Sequence, residues 1–350
     1  MKNATRAVAI GAAALTLIAG ALALPRPPAL SGEVTGDTEL VGTMRELLVD
    51  SPGLRDRVSV AVIDGDDVRV AHFGASGETE YEIGSVTKTM TASLLADAIE
   101  RGEVDADTQL GELLDLGDSE AASITLDELA TQHSGLPRLA PSLAQTVSAL
   151  VANYRANDPY DASVDELVAA ARETDVGEKR FEYSNFGFAL LGQALAAAAD
   201  TSYPDLVEQR LFAPLGMSDT FAPTTPDDLD PDAPTGYTAS GRASDAWTLG
   251  ADAPAGSVRS TLDDMVLYAR AQLDESAPGV KATEPVTEVD DLGSIGYAWF
   301  TTEGVTWHNG GTGGFTSWVG FDRSTDRAVV VLNNTTASVD ELGFALMEVK

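Results

Sequence analysis

Ser85-Val86-Thr87-Lys88 places a hydroxyl and an amine three residues apart where an apolar-periodic helix begins. At that spacing the two side chains share one helical face. A serine hydroxyl is a weak nucleophile until a neighbouring base takes its proton. A lysine amine is such a base once burial or nearby positive charge lowers its pKa. The pair is therefore a candidate acyl-transfer centre, although alone it reads equally well as a capping serine beside a solvated lysine. A serine at a helix N-terminus has a second asset, because the helix dipole and the free backbone N–H groups favour an oxyanion.

Two more chemical motifs follow in chain order. Tyr183-Ser184-Asn185 supplies a phenol and an amide, and His308-Asn309-Gly310-Gly311 supplies an imidazole followed by paired glycines. Read singly, Tyr183 is a core aromatic beside Phe181, Phe186 and Phe188, and Asn185 a cap for the helix at Phe186. Read together, the three motifs resemble the serine β-lactamase and penicillin-binding-protein superfamily. The resemblance is to its class C β-lactamase-like branch, with its D-alanyl-D-alanine carboxypeptidases, D-aminopeptidases and esterases, and it runs from about Glu39 to the end of the chain. The phrases Tyr81-Glu82-Ile83-Gly84, His133-Ser134-Gly135-Leu136-Pro137, Pro214-Leu215-Gly216-Met217 and Ala255-Gly256-Ser257-Val258-Arg259-Ser260-Thr261 carry it too. Motifs count when their structural context agrees.

The resemblance implies roles. Ser85 is acylated; Lys88 holds or shuttles its proton; Tyr183 acts as base in acylation and activates water in deacylation. Which of Lys88 and Tyr183 is the base stays open, because a phenol near its reference pKa of about 10 needs nearby cations or a concerted transfer. Asn185 orients Lys88 or binds a substrate carbonyl. Gly310 and Gly311 let substrate lie against their strand, with the Gly311 N–H as second oxyanion donor. His308 stands where the best-known members carry lysine. An imidazole titrates near about 6.5 and is only partly charged at neutral pH, which ranks a D-amino-acid peptidase or esterase above a β-lactamase. A receptor or sensor that is acylated without turnover is the rival of a different class. No metal and no cofactor is called for, and the expected partner is a small-molecule or short-peptide substrate.

Composition narrows the rest. The chain has 350 residues and 44% hydrophobic content, enough for a large core. It has no cysteine, so a disulfide framework, a thiolate metal site and a lipoprotein anchor are excluded. His72, His133 and His308 show no metal-ligand spacing; His133 reads as structural ahead of Pro137, and His72 carries no functional argument. Asp228, Asp230 and Asp232 alternate as in a calcium loop, but Ala233 and Ala239 stand where glycine and glutamate are required. Lys and Arg number 22 against 55 Asp and Glu, a net charge of −33, which excludes nucleic acid as a partner.

Lys2 and Arg6 precede an uncharged apolar run from Ala7 to Leu24, an export signal with Ala21-Leu22-Ala23 as a small-residue cleavage pattern. The same 1–24 segment is just long enough to serve as an uncleaved membrane anchor. A linker over 25–38 leads to the folded domain, 39–350.

The elements that must position the motifs follow from periodicity. Leu40, Val41, Met44, Leu47 and Leu48 predict a first helix. Val58–Ile63 and Val68–Phe73 flank Asp64-Gly65-Asp66-Asp67 as a hairpin. The nucleophile helix runs from Ser85 to about Arg101, with Met90, Leu94, Leu95 and Ala98 as its stripe and Gly102 ending it. Thr125 with Glu128 and Ser163 with Glu166 are capping boxes, and 186–199 is an apolar helix. Strand character returns over 296–301, 305–308, 316–322 and 328–333, before a last helix from about Val339. The fold class is α/β (α+β), β-lactamase/transpeptidase-like: one antiparallel sheet assembled from both chain ends, with a helical subdomain inserted at about 103–254.

Overall fold

A computed structural model describes residues 28–140, 156–289 and 292–349. The segment 1–24, expected to be an export signal, lies outside the described residues. Nine strands form one antiparallel sheet: β1 (Val34–Gly36), β2 (Val58–Asp64), β3 (Asp67–Phe73), β8 (Thr287–Val289), β9 (Gly293–Ile295), β10 (Phe300–Thr302), β11 (Val305–Gly311), β12 (Thr316–Asp322) and β13 (Arg327–Asn333). Their spatial order is β1-β3-β2-β13-β12-β11-β10-β9-β8. The join between the chain ends is the β2–β13 ladder, from Val58 opposite Asn333 to Asp64 opposite Arg327. Two small pairs lie outside this sheet, β4 (Tyr81–Glu82) with β7 (Arg259–Ser260), and β5 (Gly236–Tyr237) with β6 (Ala243–Ser244).

The central strands are buried on both faces, and their period of two divides the core. Ala61, Ile63, Val319, Phe321, Ala328, Val330 and Leu332 point to one side, where they meet α2 (Thr87–Glu100), α4 (Asn185–Ala198) and α5 (Leu262–Leu273). Val58, Val60, Val62, Trp318, Val329 and Val331 point to the other. There α1 (Thr38–Asp50) contributes Leu40 and Met44, and α6 (Asp340–Glu348) contributes Leu342 and Leu346. Each such side chain stabilises by about 1.5–3 kcal/mol on burial, so the sheet is gripped from both faces and its register is fixed. The remaining long helix of the insert, α3 (Val164–Glu173), starts at the Ser163–Glu166 capping box.

Two segments differ from the sequence-based expectation. Val34–Gly36, within the stretch read as linker, pairs with β3 and forms the sheet edge. The run over 296–301 is not one strand, because Ala298 adopts φ +65° and turns the chain between β9 and β10. That turn is held from outside: Ala298 N donates to Ala130 O at 2.9 Å.

Candidate active site

Ser85 sits on a 3-10 turn, Gly84–Val86, that runs directly into α2. Gly84 has φ +52°, a conformation that L side chains rarely adopt. It also lies against β11: a Cβ there would come within 2.6 Å of Gly311 N. Gly310 faces the same turn from the strand side, where a Cβ would fall 1.9 Å from Ile83 O and 2.4 Å from Ser317 Oγ. Ser317 Oγ donates to Ile83 O at 2.7 Å, which locks the contact. The glycines of the third motif thus bring the strand and the Ser85 turn together. Gly311 differs from Gly310, for nothing lies within 4 Å of its missing Cβ.

Lys88, on α2, is fully buried. Its Nζ donates to Ser85 Oγ at 3.1 Å and to Ala255 O at 2.6 Å. The carbonyl partner belongs to the Ala255–Thr261 phrase, and threonines of α2 fasten that segment. Thr91 Oγ1 donates to Pro254 O at 2.8 Å, and Val258 N donates to Thr87 Oγ1 at 3.1 Å. Burial, reinforced by the Arg138 guanidinium and opposed by Asp252, pushes the Lys88 amine well below the usual ammonium range. The lysine is a hydrogen-bonded, desolvated amine rather than a solvated charge.

Tyr183 is delivered by the turn into α4. Ser184 caps that helix by accepting from Gly187 N at 2.8 Å, donates from Oγ to Pro137 O, and donates from its backbone N–H to Gln132 Oε1. The His133–Pro137 phrase is therefore the clamp that holds the Tyr183 motif. The Tyr183 hydroxyl reaches the Ser85 side chain, and the Lys88 Nζ lies 5.0 Å from the centre of its ring. Burial pushes the phenol up to about 12, with Ser85 and Arg138 acting in the opposite direction.

The structure thus brings Ser85, Lys88, Tyr183, Gly310 and Gly311 together. It places two other residues differently from expectation. His308 is 1% exposed, and its side chain packs 6.3 Å from the Tyr183 ring and 5.6 Å from the Phe300 ring instead of facing the cleft. Its Nε2 has no hydrogen-bond partner among the described residues, and burial together with Lys88 lowers its pKa to about 3. The imidazole is neutral, so the partly charged group expected from its residue type is absent. Asn185 is the first residue of α4 rather than its cap. Its Nδ2 donates to Tyr160 OH at 3.4 Å, and its buried Oδ1 has no partner among the described residues.

An open cavity of about 500 Å³ gives access, lined by Ser85, Arg138, Tyr183, Gly311, Thr316 and Asp340 among others. Four residues of the site went unread in the sequence. Arg138 follows the His133–Pro137 phrase directly. Asp252 is a lone carboxylate in an otherwise apolar stretch, a signal that was available; burial, then Asp158, raise it to about 7 against the pull of Lys88. Asp340 opens α6 and accepts both oxygens' bonds from Asn309 Nδ2, at 3.0 and 3.1 Å. Tyr160 carries no local pattern that marks it.

The chain matches the family model described as Beta-lactamase over residues 50–347. It belongs to that family. Among curated proteins it is 29% identical over 174 residues to a beta-lactamase of Providencia stuartii, covering 47% of this chain and 42% of that protein. It is 32% identical over 186 residues to the D-alanyl-D-alanine-carboxypeptidase/endopeptidase AmpH of Escherichia coli, covering 49% and 46%. The chain spans about half the length of the curated relatives it matches. A class C beta lactamase structure from Rhodobacter sphaeroides superposes with TM-score 0.73 at 22% identity, over 89% of this chain and 99% of that one. The fold is therefore the mixed α/β architecture of this family, and the chain belongs to the serine β-lactamase and penicillin-binding-protein superfamily.

Proposed function

We propose that this protein is an exported serine hydrolase that cleaves amide or ester bonds of D-amino-acid peptides or small esters through a Ser85 acyl-enzyme. The observation that carries the reading is the buried Lys88 amine 3.1 Å from Ser85 Oγ. Ser85 Oγ attacks the substrate carbonyl carbon while its proton passes to the Lys88 amine. The carbonyl oxygen becomes an oxyanion facing the backbone N–H groups of Ser85 and Gly311. The intermediate collapses, the C–N or C–O bond breaks, and the leaving group takes a proton from Lys88 through the Tyr183 hydroxyl. Water then attacks the ester carbonyl carbon and passes a proton through Tyr183 to Lys88; the intermediate collapses, the bond from the acyl carbon to Ser85 Oγ breaks, Ser85 Oγ takes the proton back from Lys88, and the acid leaves. A phenol held near about 12 stays protonated at neutral pH and suits a relay, whereas the lowered amine suits the base.

The export signal over 1–24 supports an extracytoplasmic location, as a secreted or anchored protein. Similarity to the Providencia stuartii beta-lactamase favours β-lactam hydrolysis as the second reading. A panel of p-nitrophenyl esters, a chromogenic cephalosporin and D-alanyl peptides, run on protein lacking residues 1–24, separates the two. Ester or peptide turnover above cephalosporin turnover is expected. The reverse order would put the β-lactamase first, and a single burst without steady turnover would make the protein a receptor.

A further inference from the structure

Arg138 belongs to none of the motifs, yet it borders the reacting groups. It lines the cavity together with Ser85 and Tyr183, and its guanidinium carbon lies 5.1 Å from the centre of the Tyr183 ring. The root of the side chain is fixed, because the Arg138 carbonyl accepts from Asn185 N at 2.9 Å and Phe186 N at 3.3 Å. The phenol face beneath the guanidinium adds a cation–π contact that orients its plane.

Among the described residues Arg138, like Arg45, Arg55, Arg180 and Arg270, has no carboxylate partner, and what sets it apart is its place in the lining of the Ser85 cavity. In a chain with 55 acidic and 22 basic side chains, several arginines are taken up by acids. Arg259 holds Glu80 and Glu82, Arg327 holds Asp64, and Arg210 holds Glu103. Arg138 forms no ion pair among the described residues, and it is exposed at the cavity. The other charged lining residue among the described ones, Asp340, is engaged by the Asn309 amide. His308, buried and turned from the cleft, offers no charge. A guanidinium is cationic at every pH of interest and presents a planar fork that matches a carboxylate with two parallel N–H donors.

We infer that Arg138 is the specificity-determining residue of this site, holding a free carboxylate of the substrate beside Tyr183. The assignment rests on the hydrolase reading and narrows its substrates to those with an anionic group close to the scissile bond. Arg138 also acts on Lys88 and Tyr183 through its field. Its removal therefore affects every substrate, and only the preference between matched substrates isolates recognition.

The test compares acetyl-D-alanyl-D-alanine with its C-terminal amide in wild-type protein, Arg138→Gln and Arg138→Lys. The acid-over-amide ratio of kcat/KM is expected to fall about tenfold or more in Arg138→Gln, the scale of a lost charge-assisted hydrogen bond. Arg138→Lys should retain part of it. In parallel, calorimetric titration of Ser85→Ala with both peptides reads recognition without turnover. The acid should bind more tightly than the amide, and the double variant Ser85→Ala/Arg138→Gln should lose that preference. An unchanged ratio in Arg138→Gln, or equal or unmeasurable binding of the two peptides to Ser85→Ala, overturns the assignment. Absence of turnover in wild type with the binding preference intact would instead remove the hydrolase reading and leave Arg138 as an anion site.

Discussion

At the residue scale, the chemistry is a contest between burial and charge. His308 and Asp252 show it with opposite signs. The unfolded chain protonates His308 near about 6.5, whereas the native state refuses the proton down to about 3. Its contribution to stability is present above that upper value and is lost as pH falls through the window. Native Asp252 keeps its proton to about 7, while the unfolded carboxyl releases it near 3.8, so its contribution is lost as pH rises through that window. Unfolding free energies measured by urea between pH 4 and 6.5 should therefore rise less with pH in His308→Gln than in wild type, and rise more in Asp252→Asn. Parallel slopes in all three proteins would contradict both placements. A neutral His308 also predicts that the acid-over-amide preference is flat from pH 5 to 9, because arginine does not titrate there. A preference that fades through pH 6.5 would return carboxylate binding to His308. Ser85, Lys88 and Tyr183 were legible from residue type and order. The orientation and charge of His308 were not, since both depend on Phe300 of the neighbouring strand β10 and on Tyr183, far earlier in the chain, packing against its ring.

At the element scale, the site is a seam between β11 and the turn before α2, and the two glycines of β11 do different work. Gly310→Ala drives a methyl into Ile83 O and Ser317 Oγ. It should cost about 1–3 kcal/mol of stability, the range for overpacking, together with most of the activity. Gly311→Ala meets open space, so its thermal midpoint should stay near wild type while kcat/KM falls, because the new methyl occupies the substrate's side of the strand. Calorimetry with steady-state kinetics on both variants checks this; equal destabilisation by both would contradict the seam. Helix stripes, capping boxes and the hairpin were legible because their signals are local. Strand β1 and the turn at Ala298 were not, because a three-residue edge strand has no period to read and the turn is set by Ala130 across the core.

At the scale of the whole molecule, a net charge of −33 imposes self-repulsion and repels anionic substrates from a distance. Exposed charges are largely screened once the Debye length falls below about 10 Å. Raising salt from 10 mM to 0.5 M should raise both the thermal midpoint and kcat/KM for the free-acid peptide, with little change for its amide. A midpoint that falls across that range would show that the ion pairs of Arg259 and Arg327 outweigh the repulsion. The sheet built from both chain ends was legible in the order of strand-like and helix-like segments. The guanidinium of Arg138 in the cavity lining, without an ion pair among the described residues, was not, because composition counts charges without placing them.

The central claim is the acyl-enzyme at Ser85, and the direct measurement is mass spectrometry of protein quenched in acid during turnover of a p-nitrophenyl ester. Wild type should carry one acyl group on the peptide that contains Ser85. Ser85→Ala should carry none and lose at least about a thousandfold in rate, the scale of removing a nucleophile. An adduct on another residue, or turnover that survives in Ser85→Ala, would contradict it.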